Sequence, residues 1–194
     1  MRIRALLPLI AGATLCWTGV ASASPIVFDL TRSVSGNDNV ASVTLVDSST
    51  LSVNIDAEPG IREVDWDEQG MGVQGLFEFD DQLDGFGRDE SLIFSFSESV
   101  RLLSATFSRV GSNDDFRLIT GGGVIVDGDP GLQNPFDFIS FDLVDSLFEF
   151  TVIGANDDYK ISEIVVARIP EPGVLALFAV GLIGGLATRR RTAH

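Results

Sequence analysis

The segment Glu90-Ser91-Leu92-Ile93-Phe94-Ser95-Phe96 gives the clearest indication of the fold class. Leu92, Phe94 and Phe96 occupy every second position, and an extended strand turns such positions toward one face. The segment from Leu147 to Ile153 repeats this spacing with two further phenylalanines. Helical periodicity is nearly absent around both segments. The pattern is typical of half-buried β-strands and predicts an all-β domain.

Similar alternating runs lie on either side of this stretch, and Gly, Asn and Asp separate them as turn residues do. Most of the 14 phenylalanines fall in these runs and are expected to supply the core. Many short strands predict one β-sandwich or jelly-roll-like domain over residues 24–168, with the first and last strands as neighbours. The predicted strands are Ile26 to Leu30, Ser42 to Val46, Thr50 to Asp56, Ser91 to Ser97, Val100 to Ser108, Phe116 to Thr120, Leu147 to Ile153 and Tyr159 to Arg168.

Residues 1–23 have the organisation of a signal peptide. Two arginines precede an apolar run from Ala5 to Val20, and small residues at Ala21 and Ala23 follow it. This arrangement predicts an N-terminal signal helix that signal peptidase removes by cutting before Ser24. The alternative is an uncleaved anchor helix, but the apolar run is short for that role. We therefore expect an exported protein.

Residues 169–194 form a second distinct segment. Pro170, Glu171 and Pro172 precede an uncharged stretch, Gly173 to Thr188, and the cluster Arg189-Arg190-Arg191 follows it. A helix over the uncharged stretch would span about 24 Å, somewhat less than a hydrocarbon core of about 30 Å. The pattern predicts a C-terminal transmembrane helix whose arginines stay in the cytoplasm.

The three parts of this tail, in this order, resemble the PEP-CTERM sorting signal. The resemblance implies recognition by exosortase, a membrane protease-transferase, with the sorting motif at Pro170, Glu171, Pro172, Arg189, Arg190 and Arg191. It implies transient anchoring in the inner membrane, loss of the tail, and delivery to the cell surface or extracellular matrix. The host would be a Gram-negative bacterium, usually one that makes exopolysaccharide. The alternative is a plain tail anchor.

Charge and residue usage exclude several classes of function for the middle domain. The chain has a net charge of -15, and every acidic residue except Glu171 lies in residues 24–168. Such a surface repels nucleic acid, so no nucleic-acid partner is expected. The only cysteine, Cys16, lies in the signal segment, and the only histidine, His194, ends the tail. A disulfide framework, thiolate chemistry, a histidine base and an ordinary zinc site are therefore excluded from this domain.

Two acidic turns repeat one another. Gly111-Ser112-Asn113-Asp114-Asp115-Phe116 is echoed by Gly154-Ala155-Asn156-Asp157-Asp158-Tyr159, and each follows one predicted strand and leads into another. One interpretation is a pair of equivalent turns in which Asn and Asp bond their own backbone. The other is calcium binding through Asn113, Asp114, Asp115, Asn156, Asp157 and Asp158, because a hard cation takes several oxygen ligands. Residues 127–131, with two aspartates, predict a third acidic turn open to the same two interpretations.

A glycine-rich stretch, Trp66-Asp67-Glu68-Gln69-Gly70-Met71-Gly72-Val73, also attracts notice. Together with the Glu90-to-Phe96 strand it resembles domains carried by PEP-CTERM proteins, which implies a surface β-sandwich and no catalytic residues. Gly70 and Gly72 permit unusual backbone angles or a close approach of another segment. Met71 and Val73 should then point into the core. Trp66 is either a sugar-stacking platform or a partly buried core aromatic.

The leading hypothesis is a non-enzymatic, exported surface or matrix protein with extracellular polysaccharide and calcium as candidate ligands. The alternatives are a purely structural or adhesive envelope protein and an acid-dependent glycan hydrolase. For the hydrolase, acidic residues flank Gly85-Phe86-Gly87, and paired carboxylates can cleave a glycosidic bond. They are Asp80, Asp81, Asp84, Asp89 and Glu90. Nothing singles out one pair, so no catalytic residue is predicted.

Overall fold

The computed structural model describes residues 24–32, 38–75 and 81–169. These residues form β-strands and one short 3-10 helix, Ile139–Phe141, so the all-β prediction is confirmed. The predicted signal helix and transmembrane helix fall outside the described residues. Within the described ranges, no helix is long and apolar enough to cross a membrane.

Thirteen strands are described. They are β1 Pro25–Asp29, β2 Asp38–Val40, β3 Ser42–Val46, β4 Ser52–Glu58, β5 Glu63–Asp67, β6 Gly70–Gln74, β7 Leu83–Asp84, β8 Ser91–Ser108, β9 Phe116–Thr120, β10 Ile125–Gly128, β11 Phe136–Asp137, β12 Val144–Val152 and β13 Asp158–Arg168. The strands predicted from alternation are present with shifts in their ends, except that the two predicted between Ser91 and Ser108 form the single strand β8. The alternation did not predict β2, β5, β6, β7, β10 or β11.

The strands join into one continuous antiparallel sheet in the order β10-β9-β12-β8-β13-β6-β5-β2. β3 and β4 join through β8, β11 also pairs with β8, and β1 and β7 pair with β13. The prediction that the first and last strands are neighbours is confirmed, since Pro25 of β1 lies opposite Ala167 of β13. Among the described residues, the two sheets of a sandwich are not separate hydrogen-bonded units.

The 18-residue strand β8 is the centre of this topology. The prediction of two strands here was wrong, because the exposed Ser97-Glu98-Ser99 segment does not interrupt the extended backbone. The first half of β8 pairs with β4 and most of β12, and the second half pairs with β13, with β11 and with the start of β12. One strand therefore links two groups of strands, and both groups contribute to a common core.

Bulges explain why the buried face changes phase along the two longest strands. In β8 the buried positions run over Leu92 and Phe94, but later over Ala105 and Phe107. Leu103 has no partner in β13, and an extra unpaired residue shifts the alternation by one position. Ser162 is the corresponding unpaired residue in β13. Its bulge lets both halves of β13 keep apolar residues toward the core.

Aromatic rings fill the centre of the core. Phe116 contacts Phe107, Phe136, Phe138 and Phe150, with ring centroids 4.8–6.1 Å apart. Such edge and offset contacts add to the free energy gained from burying the rings. Two of these rings come from the stretch around β11, which alternation did not identify. The prediction that phenylalanine supplies much of the core is confirmed, and Phe136 and Phe138 add two rings that were not expected.

Candidate functional site

The β5–β6 hairpin forms one wall of a buried charged cluster. Asp65 and Asp67 occupy alternate positions of β5, so both side chains leave the same face. In the antiparallel pairing Asp65 lies opposite Gly72, and Asp67 lies opposite Gly70. Opposed residues share a face, and glycines leave that face without side chains. The hairpin therefore presents two carboxylates beside a strip of bare backbone.

Two other segments lie directly on this strip. A Cβ atom on Gly70 would lie 2.4 Å from the carbonyl oxygen of Ile161, and one on Gly72 would lie 2.0 Å from that of Asp81. Only glycine allows backbone to approach backbone so closely. The close approach predicted at both glycines is confirmed. It brings β13 and the segment before β7 over the two carboxylates.

Lys160 occupies the centre of the cluster that results. Its Nζ lies 2.5 Å from Asp65 Oδ2, 2.8 Å from Asp67 Oδ2 and 3.1 Å from Asp81 Oδ2. An ammonium group has three donors, and each carboxylate accepts one of them. Lys160 and Asp65 are both 0% exposed. We call these four residues, together with Arg109, the Lys160 cluster.

Arg109 adds a second cation at the edge of the cluster. Its guanidinium donates to Asp81 Oδ1 at 2.5 Å and is itself 41% exposed. Burial opposes ionisation of Asp81, but the hydrogen bond and charge of Lys160 and the charge of Arg109 hold the pKa of this carboxyl below its usual range. Burial raises the pKa of Asp65 despite Lys160. Burial also opposes the charge on Lys160, yet the bonds to Asp65 and Asp67 raise its pKa.

The three carboxylates differ in what their second oxygens contact. Asp67 Oδ1 accepts the backbone N–H groups of Gln69 and Gly70, at 2.7 and 3.1 Å. Asp81 Oδ1 accepts from Arg109. Asp65 Oδ1 is buried and has no hydrogen-bond partner among the described residues. An unpaired buried oxygen is costly, which distinguishes Asp65 from the other two carboxylates.

Ligand atoms of Asp65, Asp67 and Asp81 lie within 4.8 Å of one another, close enough to hold a cation. In this structure the ammonium of Lys160 lies where such a cation would bind and contacts all three carboxylates. Sequence reasoning missed the cluster, although two signals were available. Lys160 is the only lysine of the chain, and Asp65 and Asp67 have the spacing of one strand face opposite a Gly-x-Gly sequence.

The two repeated acidic turns form as equivalent structures. Asp114 Oδ2 accepts the backbone N–H of Gly111, and Asp157 Oδ2 accepts that of Gly154. Asn113 joins the turns, because its Nδ2 donates to the carbonyl oxygen of Asn156 at 3.1 Å. The interpretation as backbone-bonding turns is confirmed for these aspartates. Both side chains are nearly fully buried within their turns.

Asp115 remains available at this end of the molecule. Partial burial and the charges of Asp157, Asp129, Asp127 and Asp114 raise its pKa. Calcium binding at this edge stays a prediction.

Two predicted roles in the acidic turns have to be corrected. Asp127 and Gly128 belong to strand β10, and Asp127 forms a bidentate pair with Arg117 at 2.8 and 2.9 Å, so the third acidic turn begins only at Asp129. Asp158 lies in β13 opposite Asp84 rather than in a turn.

Three of the acidic residues around Gly85-Phe86-Gly87 have partners within the structure, namely Asp81, Asp84 and Glu90, whereas Asp80 lies outside the described residues. Glu90 is fully buried and forms an ion pair with Arg62. Its second oxygen accepts the backbone N–H of Asp84 at 3.2 Å, and Asp84 Oδ1 accepts that of Phe86 at 2.7 Å. These contacts secure the loop between β7 and β8.

The glycine-rich stretch places its apolar residues as predicted. Met71 and Val73 are both 0% exposed and lie in the core. Trp66 is partly buried against the core, and the guanidinium of Arg32 lies 5.4 Å from the centre of its ring. The interpretation of Trp66 as a partly buried core aromatic is confirmed.

The processing residues lie mostly beyond the described ranges. Ala21, Ala23, Pro170, Glu171, Pro172, Arg189, Arg190 and Arg191 fall outside them, while Ser24 is exposed immediately before β1. The predictions for these residues therefore depend on the sequence.

Comparison with known proteins identifies the tail. Residues 168–191 match the family model of the PEP-CTERM protein-sorting motif. The resemblance to PEP-CTERM sorting-domain proteins is therefore confirmed, and the motif implies export and processing by exosortase. No curated protein and no solved structure matches the chain.

Proposed function

We propose, from the PEP-CTERM sorting motif at residues 168–191, that this chain is a non-enzymatic protein of the outer surface or extracellular matrix of a Gram-negative bacterium. Signal peptidase releases the N-terminus, and the C-terminal helix holds the chain transiently in the inner membrane. Exosortase then removes the tail. The match to the sorting motif is the single observation that carries this proposal.

The position of both chain ends fits this route. β1 begins one residue after the expected cleavage before Ser24, and β13 ends at Arg168, where the matched motif begins. The two strands pair with Pro25 opposite Ala167, so both processing points adjoin the same end of the sheet. A cut at either point leaves the paired strands intact. The domain can therefore stay folded while both segments are removed.

We propose that this continuous sheet folds over on itself in a sandwich-like arrangement. Its support is that β8 carries core residues in both of its halves. Phe107 from the second half contacts Phe150 of β12 at 6.1 Å between ring centroids, and Tyr159 of β13 at 5.3 Å. A sheet that bends along β8 brings such rings together, because both groups of strands bury the same face.

Extracellular polysaccharide and calcium remain the candidate ligands, with a purely structural role as the alternative. Among the described residues, a cluster of three carboxylates is formed by Asp65, Asp67 and Asp81. These carboxylates pair with Lys160, so they give no support to the hydrolase alternative. Trp66 lies beneath Arg32 and does not favour a sugar platform there.

Calcium is tested at Asp115, because Asp114 and Asp157 hold their turns and their replacement would disturb the fold. In calorimetric titration of the full chain with calcium, we expect binding heat and a higher melting temperature. Both effects should be lost in Asp115→Asn and kept in the exposed control Glu63→Gln. Titrations without heat, or Asp115→Asn binding like the parent, would contradict calcium binding at this edge.

The sorting route is tested with variants of the full chain in a host that contains exosortase. Glu171→Ala and Pro172→Ala alter the motif, and Thr192→Ala lies just beyond the match and serves as the control. We expect the parent and Thr192→Ala to lose the tail and reach the surface, while the two motif variants stay in the membrane fraction with the tail attached. Trimming of Glu171→Ala at the parent's rate would refute the proposal.

A further inference from the structure

The Lys160 cluster places an amine and a carboxyl in contact where water is excluded. Lys160 and Asp65 are 0% exposed, and Nζ lies 2.5 Å from Asp65 Oδ2. The two residues are 95 positions apart in the chain. A lysine on a surface stays mobile and hydrated, whereas here the only lysine of the chain is held against one carboxyl group.

We propose that Lys160 and Asp65 form an intramolecular amide bond between Nζ and Cγ, which covalently links β13 to β5. The inference concerns the domain itself and does not depend on the sorting route. An ion pair between the same two residues is the state from which the bond forms.

The second oxygens identify Asp65 as the reacting carboxyl group. Asp67 Oδ1 holds the backbone of the β5–β6 turn, and Asp81 Oδ1 holds Arg109. Loss of Oδ1 from either residue would break these bonds. Asp65 Oδ1 has no partner among the described residues, so its departure breaks no hydrogen bond and removes an unpaired buried oxygen.

The reaction is a condensation that needs no oxidant and no activating reagent. The ammonium of Lys160 passes a proton to a neighbouring carboxylate, and the neutral Nζ attacks Cγ of Asp65. The Nζ–Cγ bond forms, one Cγ–O bond breaks, and the departing oxygen leaves as water with the two protons that nitrogen loses. An ammonium and a carboxylate thus become one neutral amide and one water molecule.

Asp67 and Asp81 are placed to move these protons, because each lies within hydrogen-bond distance of Nζ. We assign the proton transfer to Asp67, because its Oδ2 lies 2.8 Å from Nζ, compared with 3.1 Å for Asp81. Burial raises the pKa of Asp65, which favours the neutral carboxyl that an amine attacks. Fixed contact between the reacting groups supplies the effective concentration that the condensation needs.

The test is the mass of peptides from the full chain, exported by its host, purified and completely denatured. Cleavage after arginine yields peptide 63–88 with Asp65 and peptide 118–168 with Lys160. We expect one branched species whose mass is the sum of the two peptides less one water molecule. A lysine-specific protease should also fail to cut after Lys160. Two separate peptides and complete cleavage after Lys160 would overturn the proposal.

Variants then test the chemistry. Lys160→Arg keeps the positive charge but cannot form the bond, and we expect separate peptides and a melting temperature lower by on the order of 10 °C. Asp67→Asn leaves both reacting groups in place and should slow bond formation about a hundredfold or more. Asp127→Asn, an exposed carboxylate in β10, is the matched control and should form the bond as the parent does. Equal rates in Asp67→Asn and the parent would overturn the assignment of Asp67 as proton acceptor.

Discussion

Replacing Gly72 by alanine tests whether backbone contact at the β5–β6 hairpin holds the Lys160 cluster together. The new Cβ would lie 2.0 Å from the carbonyl oxygen of Asp81 and 2.9 Å from its carbonyl carbon. Both atoms belong to the backbone, so no side chain can rotate to relieve the clash. The segment that carries Asp81 has to move away from Lys160, or the hairpin has to tilt.

The cost of Gly72→Ala follows from these distances. Overpacking of a filled site costs about 1–3 kcal/mol, and a clash with backbone belongs at the upper end. Alanine also restricts the unfolded chain, which offsets about 0.4–1 kcal/mol of this cost. We therefore expect a net loss of about 2 kcal/mol in the free energy of unfolding. For a domain of this size that loss lowers the melting temperature by about 4–8 °C.

The assay is thermal and urea unfolding of the full chain followed by circular dichroism, with Gly122→Ala as the matched control. A Cβ on Gly122 would lie 3.5 Å from its nearest neighbour, Asp145 Oδ2, which is ordinary contact. The control should therefore be as stable as the parent or slightly more stable. Equal stability of Gly72→Ala and Gly122→Ala would refute the argument from backbone contact.

Three further predictions concern other parts of the fold. Phe116→Ala removes the ring at the centre of the aromatic core and should cost about 3–5 kcal/mol, whereas Phe86→Ala, at a ring that is 70% exposed, should change stability by no more than about 0.5 kcal/mol in urea unfolding. Asp127→Asn should cost about 0.5 kcal/mol at neutral pH. The hydrogen bond and charge of Arg117 lower the pKa of Asp127 in the folded state. The stability that this pair supplies is therefore present above the unfolded pKa and is lost as acid protonates the carboxyl. A stability difference between Asp127→Asn and the parent that persists in acid would contradict this assignment. Asp157→Ala leaves two backbone N–H groups of its turn without their acceptor and should cost about 1–3 kcal/mol; unchanged unfolding would show that the turn does not need this side chain.

Alternation identified strands where one face is apolar and the other polar. β3 and β9 have the predicted bounds for this reason. The continuity of β8 was harder to predict, because the bulge at Leu103 changes which positions are buried. Strands β5 and β6 were missed for a different reason. Their carboxylates and glycines normally indicate exposed turns, but in this domain Lys160 pairs with the acids and neighbouring backbone covers the glycines.

The candidate site was difficult to predict because it depends on contacts between distant segments. The spacing of Asp65 and Asp67 defines one strand face, and the lone lysine is visible in the sequence. Neither observation shows that β13 crosses that face. This information comes from the pairing of Ile161 with Met71, which no local pattern encodes. The repeated acidic turns were predictable, since Asp114 and Asp157 each bond within their own turn.

The Lys160 cluster lies near the opposite end of β13 from the matched sorting motif. That motif begins at Arg168, where β13 ends, so tension transmitted through it would enter the domain there. Hydrogen bonds to β1 and β8 resist this tension along most of β13, but they can be broken one after another. Lys160 lies near the other end of the strand and joins it to β5, which pairs with neither of those strands. A link there holds the start of β13 after its far end has been pulled free. The only cysteine of the chain, Cys16, lies outside residues 24–168, so this domain has no disulfide for this purpose. An amide between Lys160 and Asp65 would serve it with residues that the fold already brings into contact.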